Sequence, residues 1–217
     1  MQKVSDIRQH FINELKNENF TVDRNGSKTI EMLGASFLAD ETAIFGKPNK
    51  IYIEKEIAWY EMQSANVKDI SENIPAAWIA SANKHGEINS NYGMLIYGDR
   101  YYNQFDRVVN ELNNNPNSRR AEMIYTRPSV WVEAFENGKN DFICTNTVTY
   151  YIRDNKLHCV VQMRSNDVVF GYKNDYAWQY YLLRKVQKTL NKDYELGDII
   201  WQVQNLHVYE RHFELVQ

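Results

Sequence analysis

Two cysteines could supply a nucleophile, and each sits in a different setting. A catalytic thiol acts as its thiolate and needs cations close by. Cys144, in Asp141-Phe142-Ile143-Cys144-Thr145-Asn146-Thr147, is compatible with that role and equally with a small buried hydrophobe in an apolar strand. Cys159, in Leu157-His158-Cys159-Val160-Val161, lacks such company and reads as core. Cations cluster in Ser118-Arg119-Arg120 and in Arg164-Ser165-Asn166-Asp167. Guanidinium forks beside a serine suit a phosphate, although solvated arginine pairs are common on surfaces. Asn205-Leu206-His207-Val208-Tyr209 puts His207 and Tyr209 on one strand face, as a polar site or as a wet edge of the core. His207 and His212 have no third ligand in view, so no metal site is expected. Glu56, beside Ile57 and Trp59, has either a raised pKa suited to proton transfer or a place on a solvated helix face.

The chain that must position these groups has 217 residues, 25 basic and 28 acidic, with a formal net charge of −3. That balance argues against direct nucleic-acid binding, which needs excess cations. A hydrophobic share of 43% and an aromatic share of 13% can bury enough surface to offset ordering entropy. No apolar run approaches a membrane span, and the opening MQKVSDIRQHF lacks the apolar core of a signal peptide. Two cysteines make neither a disulfide framework nor a multi-cysteine zinc site. The expectation is a cytoplasmic protein with reduced thiols, folded as one domain over residues 1–217.

Periodicity predicts a first helix over Ser5–Glu18, capped by Ser5, with Ile7, Phe11, Ile12 and Leu15 on one face. Asp23-Arg24-Asn25-Gly26-Ser27-Lys28 has turn chemistry, and Thr29–Phe37 reads as a strand up to a Gly34-Ala35 break. Helices are expected over Ile51–Ser64 (through Ile53, Ile57 and Tyr60) and over Tyr101–Leu112 (through Tyr102, Phe105, Val108, Val109 and Leu112). After the loop Asn113–Ser118 the pattern turns β-like at Ala121–Tyr125, Phe142–Ile152, Leu157–Met163 and Ile199–Tyr209. Asp154-Asn155 forms a hairpin turn, and a long helix over Asp175–Leu190 faces Trp178, Leu182, Val186 and Leu190 inward. Helices and strands neither alternate strictly nor segregate, which gives an α+β class.

Taken in order, Asp23-Arg24-Asn25-Gly26, Glu56-Ile57-Ala58-Trp59, Tyr92-Gly93, Ser118-Arg119-Arg120, Cys144-Thr145-Asn146, Arg164 through Gly171 and His207-Val208-Tyr209 resemble the thymidylate synthase superfamily. Gly86 through Gly93, Ile124-Tyr125-Thr126-Arg127-Pro128-Ser129 and Arg164 through Asp175 look like its branch of phage deoxycytidylate hydroxymethylases. The resemblance implies a mixed sheet with packed helices, dimerising through the sheet. It also implies Cys144 as nucleophile on C6 of a pyrimidine, with Arg24, Arg164 and Ser165 on the phosphate. Arg119 and Arg120 would come from the second subunit of a homodimer, and His207 and Tyr209 would bind the sugar 3′-hydroxyl. Glu56 would order water and relay protons, while Asp167, Trp78 and Tyr92 would line the site of 5,10-methylenetetrahydrofolate. Four arginines around one phosphate would also favour the Cys144 thiolate.

Aligned from Arg164, Asp175 falls where uracil-using synthases carry an Asn. A carboxyl group accepts from the cytosine 4-amino group and, if protonated, donates to N3, so the resemblance implies dCMP and a catalytic Asp175. The implied last step is addition of water rather than hydride, giving 5-hydroxymethyl-dCMP. Thr145, where synthases carry a His, and the polar Asn89-Ser90-Asn91 would make room for that water. The sequence stops at Gln217, soon after His212, without the tail that closes over folate in the family, which implies a shortened chain, a shorter natural variant or reduced activity. The alternatives are a dUMP-directed hydroxymethylase, a synthase-like methylase, or an inactive nucleotide-binding or assembly protein.

Overall fold

The β-branched and aromatic runs of the second half form the centre of a mixed sheet. The computed structural model describes all 217 residues. Seven strands, β1 (Gln2–Lys3), β2 (Thr21–Val22), β3 (Lys28–Leu38), β4 (Glu122–Ile124), β5 (Thr145–Arg153), β6 (Lys156–Asp167) and β7 (Glu195–Tyr209), lie in the order β1-β3-β7-β6-β5-β4, with β2 paired to β3. The β6–β7 pair is parallel, whereas β3–β7, β5–β6 and β4–β5 are antiparallel. Seven helices complete the chain: α1 (Val4–Lys16), α2 (Lys50–Glu61), α3 (Ala76–Ser81), α4 (Tyr92–Tyr97), α5 (Gln104–Asn114), α6 (Val130–Glu133) and α7 (Gly171–Thr189). The α+β expectation holds.

Alternation along the strands divides the sheet into two faces. Val148, Tyr150, Leu157, Cys159, Val161, Ile199 and Trp201 are buried beneath the helices. Trp178, Leu182 and Val186 of α7 are buried as their spacing predicts, and Leu190 is buried just past the helix end. The other face carries Thr147, Thr149, Val160, Gln162, Ile200 and Gln202, none of them buried. There Thr147 Oγ1 donates to Gln162 Oε1 at 3.1 Å, and Gln162 Nε2 donates to Gln202 Oε1 at 3.0 Å, a polar rung across three strands. The β5–β6 hairpin turns at Asp154 (φ 49°) and Asn155 (φ 59°), the left-handed pair that a two-residue turn requires.

Several local expectations are corrected. Lys3, not Ser5, precedes the first turn of α1, and Asp6 accepts the Lys3 N–H at 2.8 Å. Tyr102 is left-handed (φ 66°) and 77% exposed, because α5 starts only at Gln104 after the Asn103 cap. The strand expected over Thr29–Phe37 is β3, and at the break seen in Gly34-Ala35 the glycine takes φ +69° while the strand runs on to Leu38. The face that α2 buries is Glu56, Trp59 and Tyr60, while Ile53 and Ile57 are only half-buried. α7 begins four residues earlier than its periodicity predicts, since Asp167 Oδ1 accepts the N–H groups of Val169 (2.9 Å), Phe170 (2.6 Å) and Gly171 (3.3 Å).

Candidate active site

Cys144 lies in the turn that feeds β5, not within a strand, and it is half-buried. Its Sγ accepts from the Arg164 guanidinium at 3.6 Å, and the same nitrogen donates to the Phe142 carbonyl at 3.3 Å. The Arg164 backbone N–H donates to the Cys144 carbonyl at 2.8 Å, so β6 holds the nucleophile loop at two points. Burial pushes the thiol up to about 11, and Arg164 only partly opposes this. One arginine, not four, reaches the sulfur within the chain, so the expected thiolate is not favoured there. Arg24 lies exposed in the β2–β3 turn, Arg119 is exposed, and Arg120 pairs with Glu111 at 3.4 Å. The geometry of a single chain does not gather the four arginines.

A second loop is locked to the first by a buried carboxylate. Asp141 accepts the N–H of Asn89 at 2.5 Å, the N–H of Ser90 at 2.8 Å and the Ser90 hydroxyl at 2.6 Å. Asn89 Nδ2 donates in turn to the Glu133 carbonyl at 2.7 Å. The polarity of Asn89-Ser90 is therefore consumed inside the protein, and Thr145 is wholly buried. Room for water, expected from these residues, is not what their side chains provide in the folded chain.

Glu56 is 6% exposed on the inner face of α2, which excludes the solvated-face reading. It accepts from the Tyr52 hydroxyl one turn earlier and from Trp78 Nε1 of α3 at 3.1 Å. The Trp78 N–H also reaches the Tyr52 oxygen at 3.0 Å. Burial raises the Glu56 pKa against these two donors. Asp175, in the first turns of α7, faces the same interior. Its carboxyl is pushed up to about 8, by burial first and then by the nearby Glu56 charge, while donation from Asn166 opposes the shift. Below that pH Asp175 is a neutral acid.

The two parallel strands carry the rest. Ser165 sits opposite Asn205, and Asp167 opposite His207. His207 and Tyr209 share a face with ring centroids 4.8 Å apart, and burial lowers the His207 pKa. Asp167 caps α7 with Oδ1, while its buried Oδ2 has no hydrogen bond. Oδ2 lies 3.9 Å from His212 Nδ1, and the half-exposed Phe170 ring stands edge-on to the same His212 at 4.9 Å. Tyr92, expected to line the folate site, is buried, stacked on Tyr60 at 5.4 Å and edge-on to Tyr125 at 5.1 Å. A groove of about 670 Å³ between α2 and α7, lined by Lys50, Ile53, Lys173, Tyr180, Arg184 and Lys188 among others, includes none of these candidates. Tyr52, Asp141 and Asn166 are the site members that sequence reasoning gave no role; only the i, i+4 spacing of Tyr52 and Glu56 signalled one of them.

A half-buried thiol under an arginine, two carboxyls with raised pKa and a strand-borne polar edge are the groups with which this chain could do covalent chemistry. The thymidylate synthase family model matches residues 9–217, and the chain belongs to that family. The deoxycytidylate 5-hydroxymethyltransferase of Enterobacteria phage T4 is 52% identical over 98% of this chain and 89% of its own length. The thymidylate synthase of Vesicomyosocius okutanii is 26% identical over 91% of this chain and 76% of its own. The solved thermostable thymidylate synthase A of Bacillus subtilis shares the fold, with a TM-score of 0.73 at 22% identity, over 99% of this chain and 83% of that one.

Proposed function

We propose that this chain is a folate-dependent deoxycytidylate 5-hydroxymethyltransferase, converting dCMP, methylenetetrahydrofolate and water to 5-hydroxymethyl-dCMP and tetrahydrofolate. The observation that carries the choice of base is Asp175, a carboxyl that Asn166 holds at 2.7 Å and whose pKa burial and the nearby Glu56 push up to about 8, so that the neutral acid predominates at pH 7. A neutral carboxyl donates to cytosine N3 and accepts from the 4-amino group, which a carboxylate cannot do. The 52% identity to the phage T4 hydroxymethyltransferase supports the same assignment.

In this reading Cys144 adds to C6 of the base and makes C5 electron-rich. When bound, methylenetetrahydrofolate would supply the one-carbon unit at the oxidation level of formaldehyde, and tetrahydrofolate would leave as its bond to that carbon breaks and water takes its place. Asp167 Oδ2, Trp78 and Phe170 would hold the folate ring system. Glu56, with Tyr52 and Trp78 fixing its oxygens, takes the C5 proton and orients the water whose oxygen becomes the hydroxyl. Cys144 then leaves C6. Arg24, Arg164 and Ser165 bind the phosphate, and His207 and Tyr209 the 3′-hydroxyl.

Arg119 and Arg120 reach the phosphate from a second copy. The uncovered sheet face supports this, since its β-branched side chains and glutamine rung form a surface that a second copy can cover. Their charge would also lower the Cys144 pKa that burial raises in one chain.

The test is turnover of dCMP, dUMP and CMP with methylenetetrahydrofolate, reading products by mass. A hydroxymethyl product from dCMP without dihydrofolate is expected, and Cys144→Ala abolishes it. Dihydrofolate release, or turnover that survives Cys144→Ala, overturns the proposal.

A further inference from the structure

A neutral carboxyl group is ambidextrous. With the proton on one oxygen it matches cytosine, and with the proton on the other it matches uracil, donating to O4 and accepting from N3–H. Asp175 alone therefore does not complete the choice of base; something must decide which oxygen carries the proton.

Asn166, 3% exposed near the end of β6, donates through Nδ2 to Asp175 Oδ2 at 2.7 Å. Its own carbonyl oxygen accepts from Trp201 Nε1 at 3.3 Å. An indole N–H can only donate, so Trp201 turns the amide oxygen to itself and the NH₂ group to Asp175. A Cβ on Gly171 would stand 3.0 Å from Asn166 Nδ2 and 3.8 Å from Asp175 Oδ2, so the start of α7 is pressed against the pair. Asp175 Oδ1 makes no hydrogen bond within the chain and is not sealed from solvent. The other titratable groups around Asp175 are Glu56, Tyr52 and Tyr60 of α2, Tyr92 of α4, Tyr125 beyond β4, Cys144, and Asp167 of β6. None of them hydrogen-bonds to the Asp175 carboxyl.

We infer that Asn166, oriented by Trp201, is a positioning residue for base choice: it keeps Asp175 Oδ2 an acceptor and so puts the proton on Oδ1. Oδ2 then takes the cytosine 4-amino group as a second donor, while Oδ1–H meets N3. Uracil would need the proton on Oδ2, opposed to the Asn166 N–H. This rests on the assignment of Asp175 to the base.

The experiment compares kcat/KM for dCMP and dUMP in the parent, Asn166→Leu, Trp201→Phe and Asp175→Asn, with melting curves on each. Asn166→Leu keeps side-chain shape and removes the donor; the dCMP-to-dUMP ratio falls about tenfold, the weight of one buried hydrogen bond. Trp201→Phe frees the amide to rotate and lowers the ratio less, without touching Asn166 itself. Donation from Asn166 favours the carboxylate, so its loss also moves the alkaline limb of dCMP kcat/KM to higher pH. Equal losses on both nucleotides with an unmoved limb would mean a merely structural role and overturn the inference. If Asp175→Asn shifts preference to dUMP while the other two variants keep the parent ratio, Asn166 alone loses its role. If Asp175→Asn leaves the preference unchanged, the assignment of Asp175 falls and this inference with it.

Discussion

Gly93→Ala should cost this chain about 4 kcal/mol, although it adds one methyl group to a short helix. A Cβ at Gly93 would lie 1.7 Å from the Tyr60 carbonyl oxygen, 2.4 Å from its carbon and 3.0 Å from its Cα. Close carbon–oxygen contacts lie near 3.3 Å, so α4 and the end of α2 would have to part by roughly 1.5 Å. Neither side yields easily, because both are backbone. Tyr60 stacks on Tyr92 at 5.4 Å and packs on Trp178 at 4.8 Å. Asn91, the cap of α4, donates to the Trp59 carbonyl at 3.1 Å and the Ser64 carbonyl at 2.8 Å. Overpacking costs about 2 kcal/mol or more, and stretching two buried hydrogen bonds adds about 1 kcal/mol each. For a domain of 217 residues each kcal/mol moves the melting temperature about 2–4 °C, so a drop of about 8–16 °C is expected. Calorimetry and urea titration measure it directly. Because α2 also carries Glu56, kcat should fall even where Gly93→Ala is fully folded. A variant that melts within about 2 °C of the parent would refute the close-approach argument.

Two further outcomes test the electrostatics and the open face. In the single chain burial holds the Cys144 thiol protonated at neutral pH, so iodoacetamide labelling of a nucleotide-free monomer, followed by mass spectrometry, should rise about tenfold per pH unit from 7 to 10. Arg164→Gln removes the one lowering charge and should slow labelling at fixed pH. A monomer rate that levels off below pH 9 would refute this, whereas levelling in the dimer alone would show that cations outside the single chain reach the sulfur. Val160→Arg, in the middle of the uncovered sheet face, should convert a dimer to a monomer in sedimentation velocity while the chain stays folded. An intact dimer in that variant would exclude this face as the contact.

What could be read from the sequence was what lies within one element or one turn. The inward stripe of α7, the alternation of β5 and β6, and the Asp154-Asn155 turn each follow from neighbours at fixed spacing, and the fold keeps them. The ordered motifs also contain residues that the fold sets side by side, Cys144 with Arg164 and Asp167 with His207. What was not legible depends on contacts between distant segments. The start of α7 is set by Asp167, a strand residue whose carboxylate satisfies the first N–H groups, so apolar periodicity had no view of it. The bonding of Asn89 and Ser90 could not be read because their partner, Asp141, is 52 and 51 residues away. The choice between a buried and a solvated Glu56 stayed open for the same reason: its cover comes from Trp78 on another helix. The state of the thiol was not legible either, since two of the four arginines expected near it would come from a second copy, and one chain brings only Arg164 to the sulfur.

The parallel pairing of β6 with β7 has a consequence for how this site can change. Ser165 stands beside Asn205 and Asp167 beside His207, so one hydrogen-bond ladder carries groups assigned to the phosphate, the sugar and the folate. Parallel strands advance about 3.3 Å per residue, so the ladder acts as a ruler against which a bound nucleotide is measured. A slip of one residue would exchange core and site faces on a whole strand, and the core would resist it. A slip of two would spare the core pattern yet slide one half of the site past the other by about 6.6 Å. Side chains on this ruler can be exchanged one at a time to retune base or step. An inserted residue cannot, because it rewrites every distance beyond it at once.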